Sequence, residues 1–291
     1  MEGSRLLRTT VFAVGALGGV SSAAYGLLTE QSRRARKVIG VPEEPPLNAD
    51  GVFPPEVVTN PAELRFAVLG DSGAAGVGVD SAEQLPGVLL ARGLAEESGR
   101  PVRLVTYAIS GSTTRDLEPQ VDRLLADPPE VAMLIIGAND VTVKLPVHTS
   151  ARLLGEQLDR LRAAGVQVVM GTCPDLGAIR PIPQPLRAIA GSWSRLLATA
   201  QRAVVLRAGG VPVPLADLCS PEFIARPAEL FSKDGFHPNA AGYDAAAAVL
   251  LAPLCAAAGV WASAQVRTLP VRPPARRLRL LPGPGSVGVV T

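Results

Sequence analysis

The chain has 291 residues, a net charge of +2 and an aromatic content of 4%. A charge so close to zero excludes the strongly basic surface typical of nucleic-acid binding, and few aromatic side chains are available to stack on bases or sugars. The three cysteines form no Cys-x-x-Cys pair and there are two histidines, so no cluster has metal-ligand spacing. We therefore expect one folded domain with extra segments at both ends, and no metal ion, cofactor or nucleic-acid partner.

The N-terminal segment, residues 9–29, carries no charge and is rich in Ala, Gly, Val and Leu. Two interpretations stay open: a secretory signal peptide with small residues at 22–24 for a signal peptidase, or a membrane-spanning helix over residues 9–28. Basic residues at 33–37 would keep the following domain in the cytoplasm by the positive-inside rule. We nevertheless predict that residues 1–30 are a signal peptide or membrane anchor and that the domain lies outside the cytoplasm, exported or membrane-anchored.

The next boundaries come from composition. Residues 41–61 are rich in proline and show little periodicity, which predicts a linker over residues 31–62. The C-terminal residues 263–291 form a Pro/Arg-rich tail. Residues 63–262 are thereby predicted to be the folded domain.

Within this domain, apolar runs alternate with helical patterns. Strands are predicted at residues 65–69, 103–107, 131–136, 166–170 and 211–215, and helices at 82–97, 117–125, 150–164, 186–208 and 240–258. Apolar strands that alternate with helices are typical of a parallel sheet covered by helices on both faces. The predicted fold class is α/β, a three-layer α/β/α architecture with a five-stranded parallel sheet.

The first predicted strand ends in Gly70-Asp71-Ser72, followed by a turn rich in Gly and Ala. Small residues permit a tight strand-to-helix turn, and ligands of open α/β sheets bind at the carboxyl ends of the strands. Ser72 is therefore a candidate nucleophile. An isolated Gly-Asp-Ser is as compatible with a serine that caps a helix.

Two further residues follow the second and third strands. Gly111 would let a backbone N–H approach a substrate, and the Asn139 side chain can point an N–H into the same crevice. Taken alone, Gly111 is uninformative and Asn139 is typical of an Asx-turn.

A histidine and an acid come before the last helix. His237 suits the role of base for a serine hydroxyl at neutral pH, and Asp234 can orient its other ring nitrogen. The alternative role for His237 is to cap the final helix.

The four segments resemble, in order and content, the four sequence blocks of the SGNH (GDSL-type) hydrolase superfamily. The blocks read GDSGAAG at 70–76, Gly111 within AISGSTT, GAND at 137–140 and DGFH at 234–237. The resemblance covers residues 64–254, and four blocks in the correct order are far more specific than Gly-Asp-Ser alone. Gly73 departs from the leucine common in the family, which leaves the catalytic set intact. The resemblance implies a flavodoxin-like SGNH-hydrolase fold.

The resemblance also implies the roles of individual residues. Ser72 would be the nucleophile, His237 the general base and then acid, and Asp234 the residue that orients His237. The backbone N–H groups of Ser72 and Gly111 and the Asn139 side chain would form the oxyanion hole. Three other acids, Asp71, Asp140 and Asp175, are interpreted as shaping the loops, and His148 as solvated.

The predicted function is a serine esterase or lipase-like acyl hydrolase that cleaves carboxylic esters through an acyl-enzyme and needs no cofactor. Expected substrates are small esters: acylated lipids, acetylated sugars or thioesters. Acyl transfer uses the same first half-reaction, and a non-catalytic cell-envelope scaffold on the same fold is a further alternative. In an exported domain Cys173 and Cys219 can form a disulfide and leave Cys255 free; three reduced thiols are the alternative.

Overall fold

A computed structural model of the chain describes residues 25–40 and 47–260. The predicted signal peptide or anchor lies largely outside the described residues, and so does the predicted Pro/Arg-rich tail.

The central sheet has six strands: β1 (Gly51–Phe53), β2 (Leu64–Gly70), β3 (Val102–Thr106), β4 (Val131–Ile135), β5 (Gln167–Gly171) and β6 (Val211–Val213). Their spatial order is β1-β3-β2-β4-β5-β6. Strands β2 to β6 run parallel to their neighbours, whereas β1 pairs antiparallel with β3. The predicted α/β fold class is confirmed, and each of the five predicted strands is present.

The prediction of five strands in an all-parallel sheet is wrong in one respect, because the sheet has a sixth, antiparallel strand, β1. This strand lies inside the range 31–62 predicted to be a linker. β1 has three residues and pairs with one neighbour at the sheet edge. So short a segment, followed directly by two prolines, shows no readable alternation in sequence. Its pairing with β3 is a tertiary interaction that local patterning does not encode.

The described helices are α1 (residues 25–39), α2 (Ser72–Ala75), α3 (Pro86–Ser98), α4 (Leu117–Leu125), α5 (Ala138–Thr142), α6 (Val147–Ala163), α7 (Leu186–Arg207), α8 (Leu215–Leu218), α9 (Ser220–Ala225), α10 (Pro227–Leu230) and α11 (Ala240–Ala257). The predicted helix over 82–97 begins as an α-helix only at Pro86, after a 3-10 turn, because proline suits the first helical position. The predicted strand over 211–215 ends at Val213, one residue before Pro214.

The two faces of the sheet carry separate hydrophobic layers. In β2, Phe66 and Val68 point toward the layer that contains α3 and α11, whereas Ala67 and Leu69 point toward α4, α6 and α7. This alternation follows from the two-residue period of a strand, and both faces are apolar because both are covered. The result is the predicted three-layer architecture.

Helix α1 also occupies part of the predicted linker range and packs onto the domain. Ala35 is buried, and the amide of Gln31 makes one hydrogen bond to the loop before α7 and one to the first residue of α7. The sequence gives this helix no clear boundary, because its arginines resemble the basic flank of an anchor segment. Its place on the domain depends on contacts with residues more than 100 positions away.

Helix α11 is, by length and composition alone, apolar enough to cross a membrane. Its residues Tyr243, Leu250 and Leu254 are nevertheless buried in the domain, and Leu251 packs beside Gly93 of α3. A core helix that covers a parallel sheet is rich in apolar residues as well, so composition alone does not distinguish it from a membrane-spanning helix.

Candidate active site

The carboxyl ends of β3, β2 and β4 lie side by side, because these strands are parallel neighbours in that order. The loops that follow them carry Gly111, Ser72 and Asn139, and the segment before α11 carries His237. These four residues line one cleft of about 490 Å³. The structure therefore brings together the four predicted positions, with Asp234 beside His237.

The turn after β2 holds Ser72 at the start of the short helix α2. Gly70 has φ +133, and a Cβ there would lie 1.9 Å from the carbonyl oxygen of Ile135, so only glycine fits. Asp71 caps the helix by accepting a hydrogen bond of 3.0 Å from the Gly73 N–H. The turn leaves Ser72 only 7% exposed, between the cleft and the protein interior.

Burial raises the pKa of Asp71 from 3.8 to about 7, and the Gly73 N–H offsets only part of that effect. Asp71 contacts neither Ser72 Oγ nor the ring of His237 through any hydrogen bond described in the structure. Its geometry agrees with the interpretation that it shapes the loop.

His237 connects the other two members of the predicted triad. Its Nε2 lies 2.9 Å from Ser72 Oγ, and its Nδ1 lies 2.6 Å from Asp234 Oδ2. The other carboxylate oxygen of Asp234 accepts from the Ser232 hydroxyl and from the backbone N–H groups of Phe236 and His237. Asp234 thus fixes both the loop and the imidazole ring.

These contacts determine the protonation state of the pair. Burial by itself raises the pKa of Asp234, but the hydrogen bond from His237 and those from the loop outweigh it and lower that pKa to about 2. An ionised carboxylate can only accept, so Nδ1 of His237 carries the proton that it donates. In the neutral ring Nε2 then has a free lone pair, directed at the Ser72 hydroxyl.

The two predicted oxyanion donors lie on the same cleft. Gly111 has φ +84, and a Cβ there would meet nothing within 4 Å, so its backbone borders open space. The Asn139 amide nitrogen donates to the Ser112 carbonyl at 2.9 Å. An amide nitrogen has a second hydrogen, which remains available to a substrate oxygen.

A residue that sequence reasoning missed, Gln120, ties the nucleophile turn to the Gly111 loop. Its side chain accepts from the Gly70 N–H and donates to the Gly70 carbonyl, both at 2.9 Å, and its nitrogen also lies 3.2 Å from Ser112 Oγ. Gln120 is fully buried. A signal for it exists in the sequence, because it is the one polar residue on the otherwise apolar face of α4, with Leu117, Val121 and Leu124.

Asp140 performs the equivalent task for the Asn139 loop. This fully buried carboxylate accepts from the N–H and hydroxyl of Thr114 and from the hydroxyl of Ser150. It therefore holds the loop after β4 against the loop after β3, as its interpretation as a loop-shaping residue requires.

The remaining candidates make no hydrogen bond to Ser72 or His237 among the described contacts, although Asp175 and Cys219 line a cavity that borders both residues. Asp175 accepts from the Gly177 N–H and pairs with Arg195 at 2.6 Å, and His148 is exposed on α6. Cys173, Cys219 and Cys255 are free thiols, so the structure has the reduced alternative rather than the Cys173–Cys219 disulfide.

A second, smaller cavity of about 130 Å³ also borders Ser72 and His237. Its other walls are mainly apolar and include Phe223, Phe231 and Tyr243. Neither Gly111 nor Asn139 lines it.

Comparison with known proteins gives a consistent result. The sequence profile of the GDSL-like lipase/acylhydrolase family matches residues 68–245. The GDSL-like esterase Rv1075c of Mycobacterium tuberculosis is 43% identical over 263 residues, which are 86% of this chain and 83% of that protein.

Solved structures share the fold at lower identity. TesA matches with a TM-score of 0.53 and 23% identity, over 66% of this chain and 99% of its own. Axe2, an acetylxylan esterase from Geobacillus stearothermophilus, matches with a TM-score of 0.52 and 18% identity, over 66% of this chain and 94% of its own.

The profile match covers more than half of the chain, and the mycobacterial relative extends over most of both proteins. The chain therefore belongs to the GDSL-like lipase/acylhydrolase family and is a hydrolase of the SGNH type.

Proposed function

We propose that this protein is a serine esterase that hydrolyses carboxylic esters through an acyl-enzyme on Ser72. The observation that carries the proposal is the continuous chain of hydrogen bonds from Ser72 Oγ through His237 to Asp234, at 2.9 and 2.6 Å. A nucleophile, a base and an orienting acid within hydrogen-bond reach are the arrangement that nucleophilic acyl transfer requires.

In the first half-reaction, Ser72 Oγ attacks the ester carbonyl carbon and its proton passes to Nε2 of His237. The bond to the alcohol oxygen then breaks, and His237 returns the proton to that oxygen, which leaves an acyl group on Ser72. In the second half-reaction, water attacks the acyl carbon and gives a proton to Nε2. The bond to Ser72 breaks, the acid departs and the serine proton is restored.

The negative oxygen of each tetrahedral intermediate requires donors. The N–H groups of Ser72 and Gly111 and the second amide hydrogen of Asn139 are the proposed oxyanion hole. One such donor typically stabilises a transition state by about 2.7–4 kcal/mol.

The proposed substrates are small esters, such as acylated lipids, acetylated sugars or thioesters. The relatives support this class, since one is a GDSL-like esterase and another an acetylxylan esterase. The completeness of the Ser72, Gly111, Asn139 and His237 set argues against the non-catalytic scaffold alternative.

The test uses the full chain beside Ser72→Ala. A fluorophosphonate probe followed by peptide mass spectrometry should place the adduct on Ser72, and p-nitrophenyl acetate should show turnover that the variant loses. An unlabelled wild-type protein with the same background rate as the variant would refute the esterase proposal. Added alcohol acceptors would distinguish transfer from hydrolysis by the appearance of a new ester.

We also propose that the domain lies outside the cytoplasm, exported or anchored through residues 9–28. The support is the uncharged apolar stretch of residues 9–29, whose last five residues, 25–29, form the start of α1. Protease treatment of intact cells that express the full chain should digest the domain if it is anchored outside. Protection in intact cells, together with absence from the medium, would refute the proposal.

A further inference from the structure

Helix α1 forms one wall of the cleft that contains Ser72. The cleft residues contributed by this segment are Tyr25, Leu28, Thr29, Ser32, Ala35, Arg36, Ile39 and Gly40. Most of them recur at helical spacing, so one face of α1 is directed at the cleft. We propose that α1 is the roof of an acyl-binding site, and that this protein therefore prefers esters of extended apolar acids whose chain lies under α1. This inference rests on the proposed esterase function.

Helix α1 is hydrogen-bonded to two walls of the cleft. Gln31 donates to the Gln184 carbonyl at 2.6 Å and accepts from the Leu186 N–H at 3.1 Å, before and at the start of α7. Arg36 donates to the Thr142 carbonyl at the end of α5, at 3.3 Å. Because α5 and α7 each contribute residues to the cleft, α1 is attached to two of its walls.

The side chains beneath α1 pack into the wall of the cleft. Ala35 is 5% exposed and belongs to the same hydrophobic cluster as Val141, Leu176 and Ile182. All four residues also line the cleft. The cluster that holds α1 in place is therefore continuous with the wall of the site, and the helix cannot leave without exposing it.

The cleft has both polar and apolar walls. Ser72, Gly111 and Asn139 supply the polar groups for the reaction. The same cleft has apolar side chains from α1 and α7, namely Leu28, Ile39, Ile189 and Trp193, and two charged ones, Arg36 and Lys144. An ester whose carbonyl oxygen faces Gly111 and Asn139 has its acyl carbon in this cleft. In the proposed binding mode the acyl chain extends along the apolar side chains of this cleft, where each buried methylene favours binding by about fourfold.

The size of the cleft fits this assignment. A volume of about 490 Å³ is that of a ligand site much larger than an acetyl group. The smaller cavity of about 130 Å³ is not lined by Gly111 or Asn139, so it is the less suitable place for the acyl carbonyl.

The test compares substitutions on adjacent residues of α1 in the full chain. Leu28→Trp and Ile39→Trp place a large side chain in the cleft. Their matched controls are Leu27→Trp and Val38→Trp, because Leu27 is 50% and Val38 58% exposed and neither lines the cleft. We measure kcat/KM for p-nitrophenyl acetate and octanoate, and in parallel for methyl and octyl acetate, with denaturation midpoints for every variant.

We expect at least about a tenfold loss of kcat/KM for the octanoate ester in both cleft variants, with the acetate ester within about twofold and both controls like the wild type. Equal losses for acetate and octanoate, or no loss in either cleft variant, would overturn the inference. A loss that follows the octyl alcohol instead of the acyl chain would overturn it as well. If the wild type itself shows no Ser72-dependent turnover of any ester, the esterase proposal has failed instead.

Discussion

The substitution Asp234→Asn tests the proton relay with little other disturbance. Asp234 Oδ1 accepts from the Ser232 hydroxyl and from the N–H groups of Phe236 and His237. An asparagine that keeps its oxygen at this position preserves all three hydrogen bonds, and with them the loop. Its nitrogen replaces Oδ2, which lies 2.6 Å from Nδ1 of His237.

This exchange reverses the direction of one hydrogen bond. The amide N–H donates, so Nδ1 of His237 has to accept, and the ring proton moves to Nε2. In that tautomer Nε2 cannot take the proton of Ser72. The same change in a serine protease lowers kcat by about 10⁴-fold. A loss of that size corresponds to about 5 kcal/mol of transition-state stabilisation, and we expect a similar loss here.

The assay is kcat for p-nitrophenyl acetate at neutral pH, together with the denaturation midpoint. The matched control is Ser232→Ala, which removes one hydrogen bond from the same carboxylate and leaves the tautomer of His237 unchanged. We expect this control to lower the free energy of unfolding by about 1 kcal/mol and to keep kcat near that of the wild type.

The reasoning would be refuted if Asp234→Asn kept its fold and lost less than about tenfold in kcat, since the wrong tautomer cannot support that rate. It would also be refuted if Ser232→Ala were as inactive as Asp234→Asn. In that case the loop geometry, rather than the direction of the Nδ1 hydrogen bond, would control the rate.

Two further predictions concern residues around the nucleophile turn. Gln120→Met leaves the Gly70 N–H buried without its partner, so we expect about 1–3 kcal/mol lower unfolding free energy in denaturant titrations. Steady-state kinetics should show a lower kcat with little change in KM, because the oxyanion donors move relative to Ser72. Asp71 keeps its proton in the folded state up to about pH 7, whereas the ordinary value is 3.8. Between these values the folded state binds more protons, so stability falls as the pH rises, and Asp71→Asn should remove that fall.

The outcomes that contradict these two predictions are distinct. For Gln120→Met the control is Gln157→Met, because Gln157 is also largely buried but lies on α6, away from the site. Equal effects of the two substitutions on kcat would exclude a positioning role for Gln120. For Asp71, denaturation midpoints are measured at pH 5 and pH 8 for the wild type and for Asp71→Asn. If the midpoint changes by the same amount between the two pH values in both proteins, the folded state does not retain this proton.

Much of the fold could be read from the sequence, because the relevant signals are local. The run Val131–Ile135 is buried on both faces of the sheet, and an uninterrupted apolar run indicates such a strand without knowledge of its neighbours. The α4 boundaries, Leu117–Leu125, likewise agree with the prediction, since the amphipathic period is a local signal. By contrast, β1 and α1 depend on contacts with distant residues, and neither was predicted.

The candidate site divides in the same way. The sequence by itself determined which residue types follow each strand, namely Ser72, Gly111, Asn139 and the Asp234–His237 pair, because each block has a local spacing that its turn requires. The tertiary structure decided how these blocks meet. It set the distance of 2.9 Å between Ser72 and His237, which are 165 positions apart, and it brought α1 over the cleft. Strand order and helix docking fix such contacts. Both depend on packing between segments that are far apart along the chain, and local sequence patterns do not encode that packing.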